Sequence, residues 1–178
     1  MQAILTKDQL TLTFTLLETR VLYHILGQII INYQTPPENL DRKAASVWYS
    51  TKGCKRARMS PEDTREWLRT LHQYRSANTE RLEKWRRQLS VPKSGTSCMT
   101  INVDDTPILL TALNDHRLLI AAQAEIGQEQ MDAHSLSAFN KLPSAQQRAL
   151  SEIHFLASIM EELLQFLPDN PGDWTHIA

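Results

Sequence analysis

The chain is poor in the residues that mark most reaction centres. It holds five glycines in 178 residues, so backbone loops able to cradle a phosphate are scarce. Neither a phosphate-binding glycine loop nor a nucleophile elbow occurs. Its two cysteines, Cys54 and Cys98, lie 44 positions apart, a spacing that indicates neither a disulfide framework nor a zinc knuckle. The six histidines are scattered, and no HExxH pair is present. His154 with Glu161 or Glu162 would share the polar side of one helix, an arrangement read as a solvated face rather than a metal site. No metal and no cofactor are therefore expected. No apolar run approaches the roughly eighteen residues of a membrane helix, and MQAILTKDQ lacks a charged segment leading into an apolar one. A cytoplasmic location with no membrane partner is the expectation.

What is present is an ordinary globular composition, 42% apolar and 22% charged. It fits a single helical domain over residues 1–167 followed by a flexible tail, residues 168–178. The net charge of -1 conceals a division along the sequence. Residues 52–93 carry twelve basic against five acidic side chains, and residues 104–178 carry three against eleven. Such halves either attract each other, inside one fold or across a dimer, which is the favoured reading, or present a surface to nucleic acid.

Apolar periodicity and caps define the elements. Leu10, Leu12 and Phe14 alternate with threonines and, with Ala3 to Leu5, predict a hairpin around Lys7-Asp8. Thr15 and Glu18 form a capping box ahead of a helix reaching about Tyr33, which Pro36-Pro37 closes. A short helix is expected over Glu38 to Tyr49, then a basic loop, KGCKRAR. Ser60-Pro61 starts a long helix in which Trp67, Leu71, Tyr74, Asn78, Leu82, Trp85 and Leu89 make a narrow seam. Continuity through Asn78 is slightly favoured over a break at Ser76 to Thr79. After a loop at Ser90 to Ser97, Met99 to Val103 alternates as a strand able to pair with Leu10 to Phe14. A central helix then runs from the Asp104-Asp105-Thr106-Pro107 cap to Gly127, a short helix spans Glu129 to Leu142, and Ser144 with Gln147 caps the last helix. The fold class is α+β, predominantly helical: a helix bundle with a small two- or three-stranded sheet.

The central helix is apolar on nearly every side except at Asn114, Asp115, His116 and Arg117. Stepped by about 100° each, these four cover most of its circumference, so at least one points into protein. They are the candidate binding residues, with Glu18, Arg20 or Glu161 as expected charge partners. A closed ion-pair network around them favours a non-catalytic role; unpaired polar groups converging on a cavity favour a small-molecule-binding protein or enzyme. No catalytic residue is assigned. Lys52, Lys55, Arg56, Arg58, Arg65 and Arg69 form a candidate surface for nucleic acid or an acidic partner. The last helix is apolar over more than half its circumference, which favours a homodimer contacting through Ile153, Met160 and Leu167 or through Leu150, Ala157 and Leu164.

A strand, a cap and then ALNDHRLLIAAQAEIG, together with LLETRVLYHILGQII in the first helix, resemble a family long catalogued as a domain of unknown function. That actinobacterial family is built around an oxidative-stress transcriptional regulator. The resemblance covers about 40 residues. It implies a non-catalytic cytosolic regulatory protein that binds a protein partner or DNA and responds to oxidants. The wide spacing of the cysteines departs from a local redox pair, although Cys54 stands beside Lys52, Lys55 and Arg56.

Overall fold

The computed structural model describes residues 1–89, 95–131 and 139–167. The fold is α+β and predominantly helical. Strands β1 (Gln2–Thr6) and β2 (Gln9–Phe14) form the expected hairpin, and Lys7 takes φ 56° in its two-residue turn, the positive value that primed hairpin turns need. β3 (Ser97–Asn102) pairs antiparallel with β2, in strand order β1-β2-β3. Alternation divides the sheet: Leu10, Leu12, Phe14, Met99 and Ile101 are buried on one face, while Thr11 and Thr100 meet through their hydroxyls at 3.3 Å on the other.

Eight helices follow in chain order among the described residues: α1 (Leu16–Gln34), α2 (Arg42–Trp48), α3 (Lys52–Arg56), α4 (Pro61–Ala77), α5 (Thr79–Gln88), α6 (Thr106–Gln123), α7 (Gln128–Met131) and α8 (Ser144–Leu164). The Thr15–Glu18 capping box starts α1, and the Ser60 hydroxyl accepts from Asp63 N–H at the start of α4. α1 and α5 lie side by side near the sheet, and α6 packs against α8 and α2. One continuous cluster of buried side chains joins these layers, from Leu10 and Phe14 through Leu26 and Trp85 to Leu113 and Leu163. α5 approaches α1 at Gly27, where an added Cβ would stand 3.2 Å from Arg86 Nε. That gap lets the Arg86 guanidinium lie 4.2 Å from the Tyr23 ring centre.

Several expectations are corrected. The long basic helix breaks at Asn78, whose side-chain amide donates to the Tyr74 carbonyl at 3.0 Å while the Thr79 hydroxyl donates to the Ser76 carbonyl at 2.7 Å. These short polar side chains satisfy the end of α4 locally, and the seam stops there: Leu82, Trp85 and Leu89 are buried, whereas Trp67 and Tyr74 are exposed. The basic loop contains a helical turn, α3. α6 ends before Gly127, with Glu125 in the left-handed region at φ 56° and Ile126 N–H donating to the Ala121 carbonyl. Ser144 is the first residue of α8 rather than its cap, and Gln147 donates instead to the Leu142 carbonyl at 2.8 Å. Asp105 makes no side-chain cap for α6 and pairs with Arg81 at 3.2 Å. Of the two rows suggested for a dimer, Ile153 and Leu150 are buried in the chain's own core. Parts of the expected loop after Ser90 and of the short helix after Glu129, and the tail over 168–178, lie outside the described residues.

Candidate functional site

The polar interruption of α6 splits into two inward-facing and two outward-leaning residues. Asp115 and His116 are 7% and 5% exposed, one helical step apart, and therefore address different neighbours. Asn114 and Arg117 are half-buried and bond to each other, Arg117 Nη2 donating to Asn114 Oδ1 at 3.1 Å.

Asp115 meets three elements at once. Tyr33, near the end of α1, donates its hydroxyl to Oδ2 at 2.8 Å. Arg75, in the last turn of α4, donates Nε to Oδ2 at 2.9 Å and Nη2 to Oδ1 at 3.4 Å. Trp48, the last residue of α2, donates its indole N–H to the Asp115 backbone carbonyl at 2.8 Å. The guanidinium is lodged among aromatic rings, 5.1 Å from the centre of Tyr49 and 5.9 Å from those of Tyr33 and Trp48. Tyr33 and Trp48 themselves meet edge to face at 5.6 Å. The arrangement suits a buried cation: two-point contact with a carboxylate and negative ring faces around the rest.

The surroundings hold Tyr33, Tyr49 and Arg75 in their ordinary charge states. Burial, then the charge and hydrogen bond of Asp115, push the Tyr33 phenol far above its ordinary value. Burial alone would lower Arg75, but the hydrogen bond and charge of Asp115, helped by Tyr33 and Tyr49, outweigh it and raise the guanidinium. Burial likewise raises Tyr49 despite the opposing charge of Arg75. Arg75 Nη1 is buried without a hydrogen-bond partner. Among the described groups this network is otherwise paired, and its charge partner is Arg75 rather than Glu18, Arg20 or Glu161.

His116 faces α8, its Nε2 lying 2.8 Å from Glu152 Oε1. Its Nδ1 is buried and unpartnered, so the tautomer with its proton on Nε2 strands no donor. Glu152 belongs to the lining of a groove of about 820 Å³ between the start of α1 and α8, together with the apolar Leu17, Val21 and Phe155 and the charged Glu18 and Arg148. None of Asn114, Asp115, His116 and Arg117 lines the groove; His116 reaches it through Glu152. The carboxylate stands in front and the imidazole behind, the reverse of a base poised by a carboxylate.

The basic candidates are all exposed. Lys52, Lys55 and Arg56 lie on α3, Arg58 follows it at φ 52°, and Arg65 and Arg69 lie on α4. Lys55 and Arg65 share the wall of one cavity of about 510 Å³ with Cys54. Arg69 is partly neutralised by Glu66 at 2.6 Å, and Arg65 Nε donates to the Pro61 carbonyl at 3.3 Å. Cys54 is buried and Cys98 exposed on β3, so the structure does not bring the two thiols together.

Tyr33, Trp48, Tyr49 and Arg75 were missed as site residues. The apolar pattern absorbs the first three, and Arg75 is one of several arginines on a helix with an otherwise exposed polar surface. Only its placement opposite Asp115, which the chain path determines, distinguishes it. Among the described residues no helix is long and apolar enough to cross a membrane.

No curated protein matches the chain, and no solved structure does. A family model, the domain of unknown function DUF2017, matches residues 72–167. The match takes in Arg75, β3, α6 with its ALNDHRLL segment, and α8, more than half of the chain. The chain belongs to the DUF2017 family.

Proposed function

We propose that the chain is a non-catalytic regulatory or interaction protein of the cytoplasm. It acts as a homodimer and presents the α3–α4 basic face to an anionic partner, DNA in the first instance. The observation that carries this reading is the pairing of Asp115 with Arg75, Tyr33 and Trp48. The strongest candidate for chemistry in the sequence is engaged in holding α1, α2, α4 and α6 together, which leaves it unfit to act on a substrate. The resemblance to an oxidative-stress transcriptional regulator supports a transcription-related role for that face.

Titration of labelled duplex DNA with the full chain at several salt concentrations tests the reading. Binding that weakens with salt is expected, with the logarithmic slope reduced by roughly 2 when Lys55 and Arg65 are both replaced by Glu. Absence of binding at low salt, or a slope indifferent to the replacements, rejects DNA as the partner. A second reading, a small-molecule-binding protein, is favoured by the groove beside Glu152; a bound compound co-purifying with the wild-type chain and lost in Glu152→Leu would replace the first.

A further inference from the structure

The two edges of the sheet are treated differently. Along antiparallel strands, backbone groups point alternately to one neighbour and the other. The two-residue turn at Lys7-Asp8 makes Thr6 and Gln9 the closing hydrogen-bonded pair. Ile4 and Gln2 therefore also bond inward to β2, while the N–H and C=O groups of Ala3 and Leu5 point outward. The same alternation, carried across β2, turns Thr100 of β3 outward at the opposite edge. There Gln88 of α5 seals it: its Oε1 accepts from Thr100 N–H at 2.7 Å and its Nε2 donates to the Thr100 carbonyl at 3.2 Å. The β1 edge has no such cover among the described residues, and none of the usual protections either. Its sequence, QAILT, has no proline and no charge, and it forms an unbulged ladder with β2.

We infer that the β1 edge is the dimerisation surface, pairing antiparallel with β1 of a second copy to make one six-stranded sheet. This rests on the self-association proposed above and names its surface. Three observations favour a second copy over another chain. With Ile4 on the two-fold axis, Ala3 lies opposite the partner's Leu5 and Leu5 opposite the partner's Ala3, so each symmetry-related pair exchanges both backbone hydrogen bonds and every outward group is used. The strand is neutral along its length, so like meets like without repulsion. Ile4 and Leu5, 60% and 45% exposed, point to opposite faces of the strand, and a continuous sheet covers both. Strand pairing alone buries less than the roughly 1,200 Å² of a stable interface. The adjoining groove supplies more: Glu18, which lines it, holds the Met1 amine at 3.1 Å at the head of β1, and Leu17 on its wall is 72% exposed.

Light-scattering mass of the full chain, read with amide hydrogen exchange, tests the inference. The wild type is expected at twice 20.4 kDa, with the Ala3 and Leu5 amides protected. Ala3→Pro deletes an outward N–H that the hairpin does not use. Leu5→Lys charges the edge at an exposed position and leaves the core intact. Both are expected at 20.4 kDa with unchanged circular dichroism, and in Leu5→Lys the Ala3 amide exchanges freely. A wild type that stays monomeric overturns self-association and the edge together. A dimer that survives Leu5→Lys, or whose Ala3 and Leu5 amides exchange freely, overturns the edge alone. In that case loss of the dimer in Leu164→Lys moves the interface to the exposed face of α8.

Discussion

Asp115 ties α1, α2 and α4 to α6 through its hydrogen bonds to Tyr33, Trp48 and Arg75. Replacing it by Ala leaves the Arg75 guanidinium among three rings without its counter-charge and the Tyr33 hydroxyl without its acceptor. Breaking a buried pair on one side costs about 3–5 kcal/mol. Asp115→Ala is therefore expected to lower the urea midpoint strongly, and Asp115→Asn, which keeps an acceptor for Tyr33, by less. Equal midpoints for wild type and Asp115→Ala would remove the network as a source of stability. The same centre sets the response to alkali. Folding raises Tyr33 above its ordinary value of 10.0, so the neutral phenol stabilises the native state below pH 10, and this contribution drains away as pH climbs above it. The Arg75 guanidinium and the Tyr49 phenol, both raised above their ordinary values, act in the same direction. Thermal stability is expected to hold up to about pH 10 and decline beyond it, with a shallower decline in Tyr33→Phe. An identical alkaline slope in that variant would assign the effect to other groups.

Elements whose information is local were legible; those decided by their neighbours were not. The Thr15–Glu18 box, the Ser60-Pro61 start and the alternation of β2 and β3 each sit within a few residues, and each is present. The break at Asn78 is not legible locally, since Asn78 fits a seam position as well as a helix end. What decided it was the path of the chain: α5 must lie against α1 and β3 while α4 reaches back to Asp115. For the same reason Asp115 and His116 could be singled out, while Arg75 and Glu152 could not be named as their partners. Gln88 is a further case, an ordinary helical glutamine whose amide happens to meet the Thr100 edge. Gln88→Ala removes two hydrogen bonds of about 0.5–1.5 kcal/mol each and leaves the outer edge of β3 bare. The expected result is faster exchange at the Thr100 amide together with assemblies larger than the wild type's. Unchanged Thr100 exchange would mean that the Gln88 contact does not persist in solution.

At the scale of the molecule, the charge division is partly internal: Arg75–Asp115 and Arg81–Asp105 each tie the basic segment to the acidic one. The basic residues of α3 are left facing outward, which is why the division supports both of its readings at once. The family match begins at residue 72, yet the physical unit begins earlier. β3 in the matched segment pairs with β2 outside it; Leu82 and Trp85 of α5 belong to the same buried cluster as α1; and Asp115 needs Tyr33 and Trp48. A fragment of residues 72–167 would thus expose Met99, Ile101, Leu82 and Trp85, each worth about 1.5–3 kcal/mol when buried, against a total stability of roughly 5–15 kcal/mol for a typical domain. The fragment is expected to lack a cooperative thermal transition and to aggregate, while residues 1–167 unfold in one transition like the full chain. A fragment that melts cooperatively on its own would mean that the hairpin and α1 are an addition to the fold rather than part of its core.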